Sequence, residues 1–272
     1  MGDNRPTSAF HSDNFDDSHT DELVGLLDVQ ALSAGVRRLR EWAHLGVAAR
    51  PGERALDMGA GTGSVTQMLA AAVAPDGEAI GVEPNPGLRS VAERRAAEAG
   101  SAARFVDGDA LALPMGDAEA DVVWCERVFQ HLDEPEKAAA EIARVLRPGG
   151  RVALIDSDWA TAILHPGEPE VVAALTGAAV SAAANPYAGR KLAGQLAAAG
   201  LEIGDLGSQA LIQDPGEVAW PLVRLLCDGA VRSELITEQQ RDRLYADLTA
   251  AAERSALHMS VTMFGVIAHR PA

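Results

Sequence analysis

Aromatic residues are scarce in this sequence. Four Trp, two Tyr and five Phe make up 4 % of 272 residues, within a hydrophobic fraction of 47 %. A core of any size therefore has to rest on Ala, Val and Leu, and small-faced helices of that kind pack closely on a flat partner such as a sheet. Cysteine is scarcer still. Cys125 and Cys227 stand alone in apolar surroundings with no CxxC spacing, which excludes a disulfide framework and a cysteine zinc site and predicts buried free thiols in a reducing compartment. Positive charge is in deficit, with 23 Lys and Arg against 39 Asp and Glu and a net charge of −16. Arg37-Arg38 with Arg40 is the densest cationic cluster. A nucleic-acid partner, which needs phosphates neutralised, is not expected; the acidity reads as solubility. Long hydrophobic runs are missing too. Val171 to Ala184 is too short, and too rich in Ala, Ser, Thr and Gly, to span a bilayer. The opening MGDNRPTSAFHSDNFDD has neither a basic n-region nor an apolar stretch, so no signal peptide is expected. His165, His258 and His269 have no companions at ligand spacing, and no metal site is expected. These absences predict a cytoplasmic protein without a membrane span, and leave the oligomeric state open between monomer and homodimer.

What is present is alternation. Residues 1–50 open with a polar tail, followed from Thr20 to Leu45 by helical patterning that Arg50-Pro51-Gly52 ends. Residues 51–272 read as one domain. Short apolar runs at Arg54–Met58, Ala79–Val82, Ala103–Val106, Asp121–Cys125 and Val152–Ile155 read as strands. Between most of them lie amphipathic helices, one with Val65, Met68, Leu69, Ala72 and Val73 on a single face. Asp133-Glu134-Pro135-Glu136 has capping-box spacing with proline in the first turn, and Thr237-x-x-Gln240 has the same spacing. Continuous apolar strands alternating with such helices predict an α/β fold, a doubly wound parallel sheet covered on both faces. Helix is also expected from Lys191 to Ala199, and strands over Leu201–Leu211 and Leu257–Ala268. Residues 157–186 and 212–236 fit no strand and read as lid insertions, with the N-terminal helices as a further part of the lid.

The chemistry is concentrated in Leu56-Asp57-Met58-Gly59-Ala60-Gly61-Thr62-Gly63-Ser64. A strand ends at Met58 and a helix begins near Ser64, so the glycines fill the first βα turn, where an open parallel sheet binds ligands. Glycine lets a ligand approach the backbone, and the helix N-terminus behind it offers free N–H groups. A dinucleotide fingerprint fails in both registers, because Thr66 and Ser64 stand where its last glycine belongs. The pattern is instead acidic-x-Gly-x-Gly-x-Gly. Asp57 would repel a pyrophosphate and suits the ammonium of an amino acid. Glu83, twenty residues beyond Gly63 at the end of the second strand, can accept both hydroxyls of a ribose. Asp107-Gly108-Asp109-Ala110 places another acid where an adenine would lie. Together they describe S-adenosylmethionine piece by piece.

The motifs LDMGAGTG, GVEPNP, GDALALPMGDAEADVVWC, VFQHLDEP and EIARVLRPGG, with a weaker SVTMFGVIAHR at the end, resemble the class I methyltransferases, and within them the ubiquinone/menaquinone-biosynthesis type. The resemblance spans roughly Arg54 to Asp156. It implies a Rossmann-like, seven-stranded sheet with an antiparallel last strand, and S-adenosylmethionine as cofactor with S-adenosylhomocysteine as product. It implies cofactor contacts at Asp57, Gly59, Ala60, Gly61, Thr62, Gly63, Glu83, Pro84, Asn85, Gly108, Asp109, Ala110, Glu126, Arg127 and Val128. Two bland readings stay open: Gly108-Asp109 as a plain turn, and Glu126-Arg127 in a salt bridge to a neighbouring helix.

His131, six residues after the fourth strand, is the candidate general base, with an ordinary pKa of about 6.5; packing ahead of Asp133 is its alternative. Phe129, Trp159 and Trp220 are candidate substrate walls, with core packing as the alternative for each. The expected function is methyl transfer to an oxygen or carbon of a small metabolite, quinone-like, aromatic or polyketide-like. The competing readings are a cyclase that uses the cofactor pocket as a template and a non-catalytic binding subunit. A nicotinamide oxidoreductase is more distant, since the dinucleotide spacing fails.

Overall fold

The computed structural model describes residues 20–182, 184–213 and 220–272. Two helices, α1 (Thr20–Leu32) and α2 (Ala34–Val47), precede the first strand, and the Ser33 hydroxyl caps α2. The alternating region follows: β1 (Arg54–Met58), α3 (Ser64–Val73), β2 (Glu78–Val82), α4 (Pro86–Glu98), β3 (Arg104–Val106) and β4 (Ala120–Glu126). A 3-10 turn (Phe129–His131), α5 (Pro135–Val145) and a long β5 (Leu146–His165) come next. The remainder is α6 (Pro169–Ala182), α7 (Ala188–Ala198), β6 (Glu202–Ile212), α8 (Trp220–Arg232), α9 (Glu238–Glu253) and β7 (His258–His269).

The seven strands form one sheet in the order β3-β2-β1-β4-β5-β7-β6. The pairings from β3 to β5 are parallel, and β7 runs antiparallel between β5 and β6. The order turns back between β1 and β4, which opens a crevice beyond their carboxyl ends. Strand residues alternate between two buried layers. Val123, Cys125 and Leu154 pack with Ile142 of α5 and Leu192 of α7. Val122, Trp124, Ala153 and Ile155 pack with Val36 and Leu39 of α2 and Leu69 of α3 on the opposite face. Trp42 of α2 lies flat on the cross-strand pair Gly207 and Gly265, where a Cβ would stand 2.9 and 2.5 Å from its ring. Only glycine leaves room there for an indole. A third cluster, built from Val171, Leu175, Cys227, Leu244 and Leu248, joins α6, α8 and α9, with Leu164 of β5 and Met259 of β7 packed against it.

Two expectations change. Ser157–His165, read as outside the sheet, continues β5: Asp158 pairs with Thr262 and, past a bulge, Ile163 with Ser260 and His165 with His258. Ile212 likewise pairs with Ser260. These segments leave the core, so their strand character lies in pairing rather than in an apolar run. Second, α5 starts at Pro135 with Glu134 as N-cap and no side-chain cap, so Asp133 closes no capping box. Proline has a fixed φ and no N–H, which suits the first helical position and puts Asp133 one residue too early. The box at Thr237 and Gln240 is formed. Residues 1–19, 183 and 214–219 lie outside the described residues, and with them the polar tail and parts of both insertions.

Candidate functional site

The glycine turn sits at the crevice. Gly59 (φ 76°) and Gly63 (φ 84°) adopt the left-handed region, which L side chains rarely enter. Both are also hemmed in, since a Cβ would meet Val128 Cγ2 at 2.4 Å and the Phe105 ring at 2.6 Å. The backbone of the turn is stitched to the neighbouring strand, Gly59 N and Ala60 N both donating to the Val82 carbonyl. Ala60 and Thr62 are buried inside it.

Two buried carboxylates flank this turn. Asp57 accepts from the Thr66 hydroxyl at 2.6 Å, and burial pushes its pKa up to about 7, with the Thr66 hydrogen bond opposing. Glu83 uses both oxygens on backbone: Gly61 N at 2.8 Å and Asn85 N at 3.0 Å. Its pKa is raised, because burial outweighs those two amides. Asn85 is buried beside it and caps α4 through Leu88 N, while Pro84 between them is half-buried. The third acid differs. Asp109 is exposed, its carboxylate accepting from Leu111 N at 2.7 Å, so the plain-turn reading describes its local geometry. Gly108 is backed by Pro114 and Val82, and Ala110 is half-buried.

At the end of β4, the Glu126 carboxylate, its side chain only 6 % exposed, forms a two-pronged ion pair with Arg40 of α2, at 2.7 and 2.9 Å. The salt bridge to a neighbouring helix is thus present. Burial opposes its charge, yet Arg40 and Arg127 outweigh burial and hold the carboxyl below its ordinary range. Arg127 is a non-glycine residue at φ 59°; its backbone N–H donates to the Ile155 carbonyl at 2.8 Å, and burial lowers its pKa. Val128 packs over Gly59.

The 3-10 turn that carries His131 is tied down from several sides. Gln130 N donates to Asp156 Oδ2 at 3.1 Å, Asn185 Nδ2 to the Phe129 carbonyl at 3.1 Å, and Asn185 N to the Gln130 carbonyl at 3.0 Å. Trp159 Nε1 donates to Gln130 Oε1 at 2.8 Å. Asp156 is fully buried and pushed up to about 7 by that burial, against the amides of Ser157 and Gln130. His131 and Trp159 are half-buried on this frame. Phe129 does not form a wall: it is wholly buried in the layer with Ile142 and Leu154. An apolar ring in a turn that rests on the sheet packs inward. The Trp220 side chain lies outside the described residues.

Sequence reasoning missed Arg40, Asp156 and Asn185. Arg40 was legible: it is the cation adjoining the buried face of α2, next to Leu39 and between Val36 and Ala43, all buried. Asp156 ends an apolar strand run just as Asp57 does, and the same rule would have found it. Asn185 gives no such signal, since its role depends on the loop before α7 reaching the turn. Among the described residues no His/Cys/Asp/Glu group could hold a metal ion, and no helix is long and apolar enough to cross a membrane.

Comparison with known proteins adds the following. Residues 56–154 match the family model described as a methyltransferase domain. Demethylmenaquinone methyltransferase of Thermus thermophilus is 36 % identical over 126 residues, 46 % of this chain and 56 % of that protein. The malonyl-acyl-carrier-protein O-methyltransferase of Methylococcus capsulatus is 38 % identical over 125 residues, 46 % of this chain and 41 % of that one. The chain thus spans about half the length of the curated relatives it matches. Among solved structures, the 4+2 cyclase SpnF superposes with a TM-score of 0.55 at 20 % identity, over 87 % of this chain and 81 % of that one. That likeness concerns the fold.

Proposed function

Residues 56–154 match a methyltransferase domain, and we propose that this chain is a class I S-adenosylmethionine-dependent methyltransferase that methylates an oxygen or carbon of a small metabolite. The observation that carries the reading is the pair of buried acids, Asp57 and Glu83, on either side of a turn whose Gly59 and Gly63 leave no room for side chains. The donor set fits the cofactor. Asp57 faces an ammonium, and Glu83 a ribose. Gly59, Gly61 and Gly63 give backbone approach, with Asp109 and Asn85 at the adenosine end. Arg40, whose Nη1 lies 3.4 Å from the Ser64 hydroxyl at the start of α3, adds a cation at the end where an amino acid's carboxylate belongs.

The bound cofactor supplies an electrophilic methyl on a sulfonium. The chain's own work is alignment and exclusion of water. The turn and its two acids fix one reactant, and the frame of Asp156, Gln130 and Asn185 fixes the edge where the other sits. His131 takes the proton of a hydroxyl or enol acceptor, and Trp159 walls the acceptor. The helices α6, α8 and α9, with α1 and α2, form the lid over both. A quinone-like, aromatic or polyketide-like acceptor suits these walls. The partner set is this small molecule, in a monomer or homodimer in the cytoplasm.

Calorimetric titration with S-adenosylhomocysteine and with NADH tests the reading, with Glu83→Gln as control. The expected result is micromolar S-adenosylhomocysteine binding, weakened in the variant, and none for NADH. NADH binding in its place would overturn the cofactor assignment. With an acceptor in hand, His131→Ala retaining full turnover across pH 6–9 would remove the base. An acceptor converted without forming S-adenosylhomocysteine would favour template use of the pocket, as in a cyclase.

A further inference from the structure

Helix α1 has no fully buried side chain among its described residues, and Val29 and Leu32 stand exposed on it. A lone helix of this length is marginal in water, so contacts must hold it. Besides its packing on α2, its contacts reach the frame of the glycine turn. A Cβ on Gly61 would come within 3.5 Å of Leu27 Cδ1, so Leu27 overhangs the middle of the turn. Thr20 presses on Gly87, where a Cβ would meet its hydroxyl at 2.7 Å, in the first turn of α4 two residues after Asn85. Arg95 of α4 forks onto Asp28 at 2.7 and 2.8 Å. Arg127, at the end of β4, donates to Gln30. Four residues of one helix, Thr20 at its start and Leu27, Asp28 and Gln30 within one later turn, thus bridge the crevice from the end of β4 to α4.

We propose that α1 is the roof of the cofactor site, and that the Asp28–Arg95 pair is its latch. This rests on reading the glycine turn as that site. Leu27 supplies the apolar cover over the turn, and cofactor or product passes only when the latch is released. The latch is built to open. Its two side chains are 39 % and 34 % exposed, and it holds a helix with no buried anchor, so release costs little compared with unfolding. Arg95 keeps the Asp28 carboxyl below its ordinary range, so the pair stays charged through neutral pH.

The test locks the latch. Asp28→Cys/Arg95→Cys is bridged by a thiol-reactive bifunctional reagent with a reducible centre; Cys125 and Cys227 are buried and do not compete. Uptake of labelled S-adenosylhomocysteine is then timed by rapid filtration. The bridged protein should take it up at least about tenfold more slowly than the wild type, with recovery on reduction. Asp28→Asn should speed both uptake and release about two- to fivefold, the range of an exposed ion pair, with Kd nearly unchanged. Uptake by the bridged protein at the wild-type rate would overturn the roof. Unchanged rates in Asp28→Asn would overturn the latch. If the wild type bound no S-adenosylhomocysteine, the cofactor reading itself would fall, and the roof with it.

Discussion

Arg40 and Glu126, 86 residues apart in the chain, meet as a fork with Nε and Nη2 on the two carboxylate oxygens. Their side chains are 17 % and 6 % exposed, so each depends on the other for its charge. Replacing Arg40 leaves Glu126 with only the longer Arg127 contact at 3.4 Å, and replacing Glu126 leaves two crowded guanidinium groups without their acid, a loss of about 3 kcal/mol. Arg40→Met and Glu126→Leu should each lower stability by that order. The double variant should recover much of the loss, which urea unfolding of all four proteins would read as strong non-additivity. Additive losses would mean that the pair is not coupled as the geometry indicates.

Asp57 links cofactor binding to pH. Burial leaves its carboxyl largely protonated below about pH 7 in the free protein. Around it stand Thr66 of α3, Glu126 of β4, Arg40 of α2 and Glu83 after β2. An ammonium placed beside it favours the carboxylate and so lowers its pKa, which makes binding release a proton. Affinity for S-adenosylhomocysteine should therefore rise from about pH 5 to pH 7 and level off above that. Calorimetry in buffers of different ionisation enthalpy would count the proton, and uptake of a proton would contradict the assignment.

The same carboxyls act on stability in the opposite sense. Asp57 and Asp156 both have folded values near 7, raised from an ordinary 3.8. A raised carboxyl contributes its full stability below the unfolded value and loses it as pH climbs through the folded one. Without ligand, these two groups should lower the melting temperature between about pH 4 and pH 7, with the fall levelling off above that. Asp57→Asn keeps an acceptor for Thr66 and removes one ionisation, so it should flatten part of that slope.

Two left-handed glycines separate strain from crowding. Gly63 and Gly200 have φ values of 84° and 86°. A Cβ at Gly63 would strike Phe105 at 2.6 Å, whereas one at Gly200 meets nothing within 4 Å. Gly200→Ala should cost about 1–2 kcal/mol, the backbone share alone. Gly63→Ala should cost more in the same denaturation assay and abolish S-adenosylhomocysteine binding. Equal costs at the two positions would show that the turn yields easily.

Asn185 is the buried clasp of the His131 turn. Asn185→Ala removes the donor to the Phe129 carbonyl, at an expected cost of about 1–3 kcal/mol. Amide exchange should accelerate at Gln130 and His131 while the glycine turn keeps its protection. Uniform acceleration would mean a global effect.

The parallel half of the fold was legible because its physics is local. Val122 to Cys125 are buried on both faces of the sheet and therefore read as an unbroken apolar run. Asp57 and Glu83 stood out because acids rarely end such runs without a use. Ser157–His165 was illegible as strand for the converse reason. Its pairing with β7 comes from a segment about a hundred residues away, and the bulge between Asp158 and Ile163 breaks any alternation. Phe129 misled because its residue type suits a wall as well as a core, and only the position of the 3-10 turn over the sheet decides between them. Arg40 was visible as charge but not as a buried one until α2 was laid against the glycine turn.

The third hydrophobic cluster shares no buried residue with the two layers of the sheet. Helices α6, α8 and α9 therefore hang from the ends of β5 and β7 like a tool on a handle. Changes among Val171, Cys227 and Leu248 should leave the packing around the glycine turn untouched. Descendants of this chain could exchange that attachment wholesale, acquiring new acceptors while inheriting the same grip on the cofactor.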